Sequence, residues 1–75
     1  MTPAPPTIRL CSPEDVLFRT HVLLKEGPEQ GRLVIVESAT GLLPGVGFGF
    51  GEGLWLVRHP LPGMEDVWVA TPESE

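Results

Sequence analysis

Short apolar runs that alternate with polar or small residues divide the chain into segments of strand length. Side chains of a strand point to opposite faces in turn, so a half-buried strand shows an apolar residue at every second position. Residues 32–38 predict the clearest strand, because Leu33-Val34-Ile35-Val36 is rich in β-branched residues. Apolar residues occupy both of its faces, so we expect it to be central and covered on both sides. Further strands are predicted at residues 8–11, 54–59 and 66–71.

Glycine occupies every odd position from Gly45 to Gly53. In an extended conformation one face of this stretch is bare backbone, while Val46, Phe48 and Phe50 share the other. A bare face allows a sharp bend and a close approach by another group, and we expect the two indole rings to pack on it. If residues 51–53 form a tight turn, residues 46–50 and 54–59 make a hairpin.

Residues 12–27 contain conflicting signals. Serine, proline and acidic residues at 12–15 are typical of a helix start, and Gly27 would end such a helix. The apolar residues from Val16 to Leu24, however, surround a helical wheel and leave no polar stripe. We therefore predict one helical turn at residues 12–15 followed by a strand. The alternative is an α+β fold, with a helix at 13–26 packed on a sheet of three or four strands.

These elements predict a mainly β fold, either a small antiparallel meander or a barrel like that of Src-homology-3 domains, with about five strands. Residues 8–71 are predicted to form a single domain. Three prolines among small residues predict a flexible arm at residues 1–7, and residues 72–75 are predicted to be an acidic tail. We predict that residues 60–65, with two prolines and a glycine, form a loop.

The charge balance disfavours several classes of partner. Ten acidic residues against four arginines and one lysine give a net charge of −5. Nucleic acids and anionic membrane surfaces both require basic clusters, and the chain has none. No apolar stretch approaches the roughly 20 residues that a membrane helix needs, and no signal peptide is evident. Because Cys11 is the only cysteine, no internal disulfide can form, and we expect a cytoplasmic protein.

The chain shows no recognisable catalytic, cofactor or metal motif. Cys11, His21 and His59 are scattered singly rather than in the paired spacing of zinc sites or in a nucleophile–base arrangement. The glycine run ends without lysine and leads into a strand, whereas phosphate-binding loops lead into a helix. We therefore expect no enzyme activity and no cofactor.

One stretch combines residue types that are enriched in binding hot spots. If residues 54–59 pair with residues 66–71, Arg58 and His59 meet Glu65 and Asp66 at one end of a hairpin flanked by tryptophans. Ion pairing across the hairpin is the simpler interpretation, and a recognition surface is the more specific one. The candidate interaction surface comprises Trp55, Arg58, His59, Pro60, Leu61, Pro62, Met64, Glu65 and Trp68.

The sequence leads to three functional hypotheses. The first is a non-enzymatic interaction module or assembly subunit whose partner is another protein or a second copy of the chain. The second is an acidic regulator or inhibitor that occupies a basic surface by mimicking nucleic acid. The third is a ligand-binding or accessory enzyme subunit that uses the glycine-rich stretch.

Overall fold

The alternating apolar pattern builds one β-sheet of six strands within the described part of the chain. In the computed structural model, which describes residues 4–27, 30–51 and 53–73, the sheet curls into a nearly closed barrel. The strands are β1 (Thr7–Arg9), β2 (Phe18–Leu24), β3 (Leu33–Ser38), β4 (Gly47–Phe50), β5 (Gly53–Leu61) and β6 (Met64–Pro72). A mainly β fold of small barrel type is therefore confirmed.

The strand order is β1-β3-β2-β6-β5-β4, which differs from a meander in two places. Strands β2 and β3, β4 and β5, and β5 and β6 pair antiparallel, as neighbours in sequence commonly do. The pairs β1–β3 and β2–β6, however, are parallel. These directions bring the last residues of β1, β3 and β5 together with the first residues of β2, β4 and β6. We call this the upper end of the barrel, and the opposite end the lower end.

The inward-facing side chains form a single apolar core. They come from β2 to β6 and from the loop between β3 and β4, and none is more than 7% exposed: Val22, Leu24, Val34, Val36, Leu42, Phe48, Trp55, Val57 and Ala70. Full burial of one valine or leucine side chain stabilises a fold by about 1.5–3 kcal/mol, so this core accounts for much of the stability.

The conflict at residues 12–27 is resolved in favour of a strand. Pro13–Asp15 is a single turn of 3-10 helix, and β2 follows it. Val22 and Leu24 are fully buried on the inner face of β2. The alternative helix at 13–26 is therefore wrong, because burial of every second residue requires an extended chain.

The glycine-rich stretch forms β4, and its bare face points outward. Phe48 pairs with Trp55 on the inner face, so Gly47 and Gly49 lie outside. A Cβ atom on Gly47 would lie 3.4 Å from Leu56 Cδ2 and 4.0 Å from Leu54 Cδ1. The expectation that the indole rings pack on the glycine face is therefore wrong. Aliphatic side chains lie over Gly47, and Trp55 packs on the phenylalanine face.

The hairpin of β5 and β6 is longer than expected. The predicted loop at 60–65 shrinks to a turn at Pro62 and Gly63, because Leu61 already pairs with Met64. Gly63 has φ +83°, a value that favours glycine in such a turn.

A register shift between Val57 and His59 reverses the direction of the later side chains. Val57 is buried while His59 is exposed, whereas unbroken alternation predicts that they share a face.

Both predicted terminal segments contain sheet residues. Thr7 begins β1, and the Pro6 carbonyl oxygen accepts a hydrogen bond from the Ile35 amide at 2.9 Å. Pro72 ends β6. The rest of the predicted acidic tail is Glu73, which is described, and residues 74–75, which lie outside the described residues, as do residues 1–3 of the predicted arm.

The lower end of the barrel is closed by Trp55. Its indole Nε1 donates a hydrogen bond to the Phe50 carbonyl oxygen at 3.2 Å. A Cβ atom built on Gly27 would lie 3.4 Å from Trp55 Cη2 and 2.8 Å from Pro72 Cγ. Gly27 also has φ +80°. Only a residue without a side chain fits this position, because the proline ring cannot swing away.

Gly27→Ala should therefore destabilise the fold by about 2–4 kcal/mol, since left-handed strain adds to steric overlap with Pro72. Gly31→Ala is the matched control, because Gly31 has φ +86° but no atom within 4 Å of the added Cβ. That variant should lose only about 1–2 kcal/mol, because it carries the left-handed strain without the steric overlap. Urea unfolding followed by tryptophan fluorescence measures both losses. Equal losses would mean that the contact with Pro72 and Trp55 does not matter.

Candidate functional site

The residues of the predicted interaction surface divide between core and surface. Trp55 is 2% exposed and belongs to the core, so it contributes nothing to an accessible surface. Trp68 and Leu61 are half-buried, and Trp68 packs against the core. The others are exposed on the upper half of the hairpin: Arg58, His59, Pro60, Pro62, Met64 and Glu65.

The charges of the hairpin do not pair as the simpler interpretation predicts. Arg58 Nε donates to Thr71 Oγ1 at 2.7 Å, toward the lower part of β6. His59 Nδ1 lies 2.9 Å from the carbonyl oxygen of Pro60. Within the described chain, no ion pair joins either residue to Glu65 or Asp66. The bulge after Val57 explains this result, because it displaces the register on which the prediction depends.

Apolar side chains form the rim of the upper end. Continuing the ladder by one residue places Leu10 beside Ser38, an arrangement supported by a 2.8 Å hydrogen bond from the Leu10 amide to the Glu37 carbonyl oxygen. Phe18 pairs with Ser38 from the other side. Extending the parallel register of β2 and β6 by three residues beyond its first pair, His21 with Val67, places Met64 level with Phe18. By alternation along their strands, these side chains lie on the same inner face as the core residues. Nevertheless, Leu10 is 38%, Phe18 46% and Met64 57% exposed.

Two further leucines lie at the same end. Leu17 directly precedes β2, and its amide donates to the Ser38 carbonyl oxygen at 3.0 Å. Leu43 lies in the loop that connects the upper ends of β3 and β4. Both side chains are strongly exposed, at 75% and 64%. We refer to Leu10, Leu17, Phe18, Leu43 and Met64 as the apolar cluster.

The exposed apolar residues are distributed unequally over the barrel. Seven large apolar side chains are exposed in the described chain, and five of them make up the apolar cluster. The other two, Leu33 and Leu54, start β3 and β5 near the lower end. Large exposed apolar side chains gathered at one end of a small domain mark a binding site more often than singly scattered ones do.

Acidic residues flank the apolar cluster on two elements. Glu14 and Asp15 lie in the 3-10 turn that precedes Leu17, and Glu65 and Asp66 follow Met64 on β6. All four are exposed, and none forms an ion pair with another described residue. The upper end therefore combines apolar side chains with uncompensated negative charge.

The arginines nearest to this end are already engaged by Glu37. Arg9 Nε lies 3.0 Å from Glu37 Oε1, and Arg19 Nε lies 3.0 Å from Glu37 Oε2. The Glu37 side chain is 12% exposed, whereas those of the arginines are 48% and 61% exposed. Each pair contributes about 0–1 kcal/mol because solvent screens the arginines. Together, Arg9, Glu37 and Arg19 mainly link the short strand β1 to β3 and β2 on the outer face.

The thiol and the imidazoles do not converge. Cys11 is half-buried beyond β1, His21 is exposed on the outer face of β2, and His59 lies on β5 beyond the intervening strand β6. Among the residues that the structure describes, no group of three histidine, cysteine or acidic side chains is placed to hold a metal ion. Nor does any helix in the described ranges have the length and apolar character needed to cross a membrane.

Sequence reasoning identified Met64 but missed Leu10, Leu17, Phe18 and Leu43. Leu10, Leu17 and Phe18 lie at or just beyond a strand end, where an apolar residue has the same pattern as a core residue, and Leu43 lies within the loop between β3 and β4. Their exposure follows from where the strands stop relative to their neighbours, which depends on pairing between distant segments. The one local signal is the pair Leu17-Phe18, which begins two residues after the acidic turn that ends at Asp15.

Comparisons with known proteins give no relative for this chain: no family model, no curated protein and no solved structure matches it.

The apolar cluster should bind an uncharged hydrophobic dye in the folded state. Replacing Leu17 and Met64 by serine should roughly halve the fluorescence enhancement of Nile red, because both side chains are exposed apolar surface. The unfolding free energy should change by no more than about 0.5 kcal/mol, as is usual for surface positions. The control is the double variant Leu33→Ser and Leu54→Ser, which should retain most of the enhancement. An equal loss in both variants would show that the dye does not distinguish the cluster.

Proposed function

We propose that this protein is a non-enzymatic interaction module that binds a protein partner through the upper end of its barrel. The observation that carries the proposal is the concentration of exposed apolar side chains at this end of the barrel. Leu10, Phe18 and Met64 lie on the same face of their strands as the core residues, but beyond the buried core. A partner that covers them would extend the core outward.

The arrangement suits recognition more than chemistry. Binding hot spots are apolar anchors in a central patch surrounded by polar groups that exclude water and fix register. Phe18, Met64 and Leu17 supply anchors, and the acids at 14, 15, 65 and 66 supply a polar border. The hairpin residues Arg58, His59, Pro60 and Pro62 lie beside this end and extend the proposed surface.

The other two hypotheses receive less support. A nucleic-acid mimic needs acids that form one continuous face, whereas the exposed described acids occur at both ends, with Glu26 and Glu73 at the lower one. A ligand site in the glycine-rich stretch needs converging polar groups. Gly47 is instead covered by Leu54 and Leu56. We propose that the module acts in the cytoplasm.

Affinity capture with paired baits tests the proposal. The bait with Leu17→Gln and Met64→Gln should retain at least about tenfold less of the specific partner, because loss of a hot-spot side chain costs 1.4 kcal/mol or more. The bait with Leu33→Gln and Leu54→Gln should retain it like the unmodified chain. Quantitative mass spectrometry compares the baits, and urea unfolding verifies that both remain folded.

Two outcomes would contradict the proposal. One is a partner that both baits retain equally, which would place binding elsewhere. The other is the absence of any partner combined with a strictly monomeric species in sedimentation over a wide concentration range.

A further inference from the structure

We infer that the segment which docks on the apolar cluster is a basic amphipathic one, whose apolar side chains are flanked by lysine or arginine. This inference rests on the proposed function and specifies the chemistry of its partner. It follows from where the charges lie around the cluster.

The acids flank the cluster on adjacent elements. Asp15 is two residues from Leu17, and Glu65 is next to Met64 in sequence. Strand β6 carries Glu65 and Asp66 and pairs with β2, and the turn with Glu14 and Asp15 precedes β2, so both acidic pairs lie at the same end of the barrel as the apolar cluster. Apolar side chains that reach Phe18 and Met64 would therefore bring their flanking residues close to four carboxylates.

The cations of the chain do not neutralise these acids. Arg9 and Arg19 share Glu37, and Arg58 donates to Thr71. The Arg32 guanidinium lies over the Phe50 ring at the lower end, 5.9 Å from its centroid. Lys25 follows β2, also at the lower end. With Glu37, Arg9, Arg19 and Arg58 included, the upper end carries a net charge of about −2 at neutral pH.

The same charges disfavour a second copy of this chain as the occupant. A two-fold association through the upper end would place four unpaired carboxylates opposite four more. Like charges brought together at an interface oppose association, and a net charge of −5 per chain adds a longer-range repulsion. A partner segment that bears lysine or arginine avoids this electrostatic repulsion, and its opposite charge speeds association with the upper end.

Synthetic peptides provide the direct test. The probe is a dye-labelled amphipathic peptide with leucine at positions i, i+3, i+4 and i+7 and lysine on the flanking positions. One control replaces the lysines by glutamate, and another replaces the leucines by serine. Fluorescence anisotropy against the full chain should show binding of the lysine–leucine peptide, with weaker binding of both controls and weaker binding at higher salt.

Matched charge variants locate the effect. Glu65→Gln with Asp66→Asn should weaken binding of the lysine–leucine peptide about three- to tenfold, the range expected for exposed charges. Glu26→Gln with Glu73→Gln removes the same charge from the lower end and should weaken it less than about twofold, because salt screens distant charges. Leu17→Gln with Met64→Gln should reduce binding at least about tenfold.

The outcomes separate this inference from the proposed function. If both charge variants weaken binding equally, or if the glutamate peptide binds as well as the lysine peptide, the inference is overturned, while dependence on Leu17 and Met64 still supports the proposed function. If the chain instead self-associates and the Leu17→Gln and Met64→Gln double variant abolishes this association, the occupant is a second copy of the chain. That result also overturns the inference while it supports the proposed function. Failure of the lysine–leucine peptide to bind overturns the inference. Binding that ignores Leu17 and Met64 overturns both.

Discussion

The packing of Trp55 beneath Gly27 and Pro72 is the contact on which the rest of the barrel depends. It joins the turn after β2, the start of β5 and the end of β6 at a position where an added methyl group would overlap the proline ring. The indole also donates a hydrogen bond to the carbonyl oxygen of Phe50, the last residue of β4. A curled sheet needs large side chains to fill its ends. This chain has only two tryptophans and three phenylalanines, and it places Trp55 and Phe50 at the lower end.

The upper end is different because several of its large apolar side chains are exposed. Its last inward-facing row consists of Leu10, Ser38, Phe18 and Met64, and only Ser38 is buried. A water-soluble domain normally reduces exposed apolar area of this kind. The contrast between the two ends therefore connects the fold to its proposed use: one end is completed within the chain, and the other is available for completion by a partner.

Local pattern was enough to predict the elements but not their arrangement. The strand at 33–38, the turn at 12–15 and the glycine-rich hairpin follow from residues close in sequence. The parallel pairs β1–β3 and β2–β6 join segments far apart, and no local feature indicates them. The bulge at Arg58 likewise depends on how β5 fits β6, and it moved His59 to the opposite face. The candidate surface was therefore only partly predictable, since Met64 lay in a recognised stretch while Leu10 and Phe18 become neighbours only through β3.

The position of β6 has a consequence for how the molecule is assembled. It comes last of the described strands along the chain, yet it lies between β2 and β5 and joins the first half of the sheet to the second. A nascent chain leaves the ribosome amino-terminus first, so β2 and β5 both wait with an unsatisfied edge until β6 emerges. Pairing across such a long sequence separation is slow, because loop closure must precede any favourable contact. A chain that ends before β6 would therefore have two open strand edges, on β2 and β5, that are prone to aggregation.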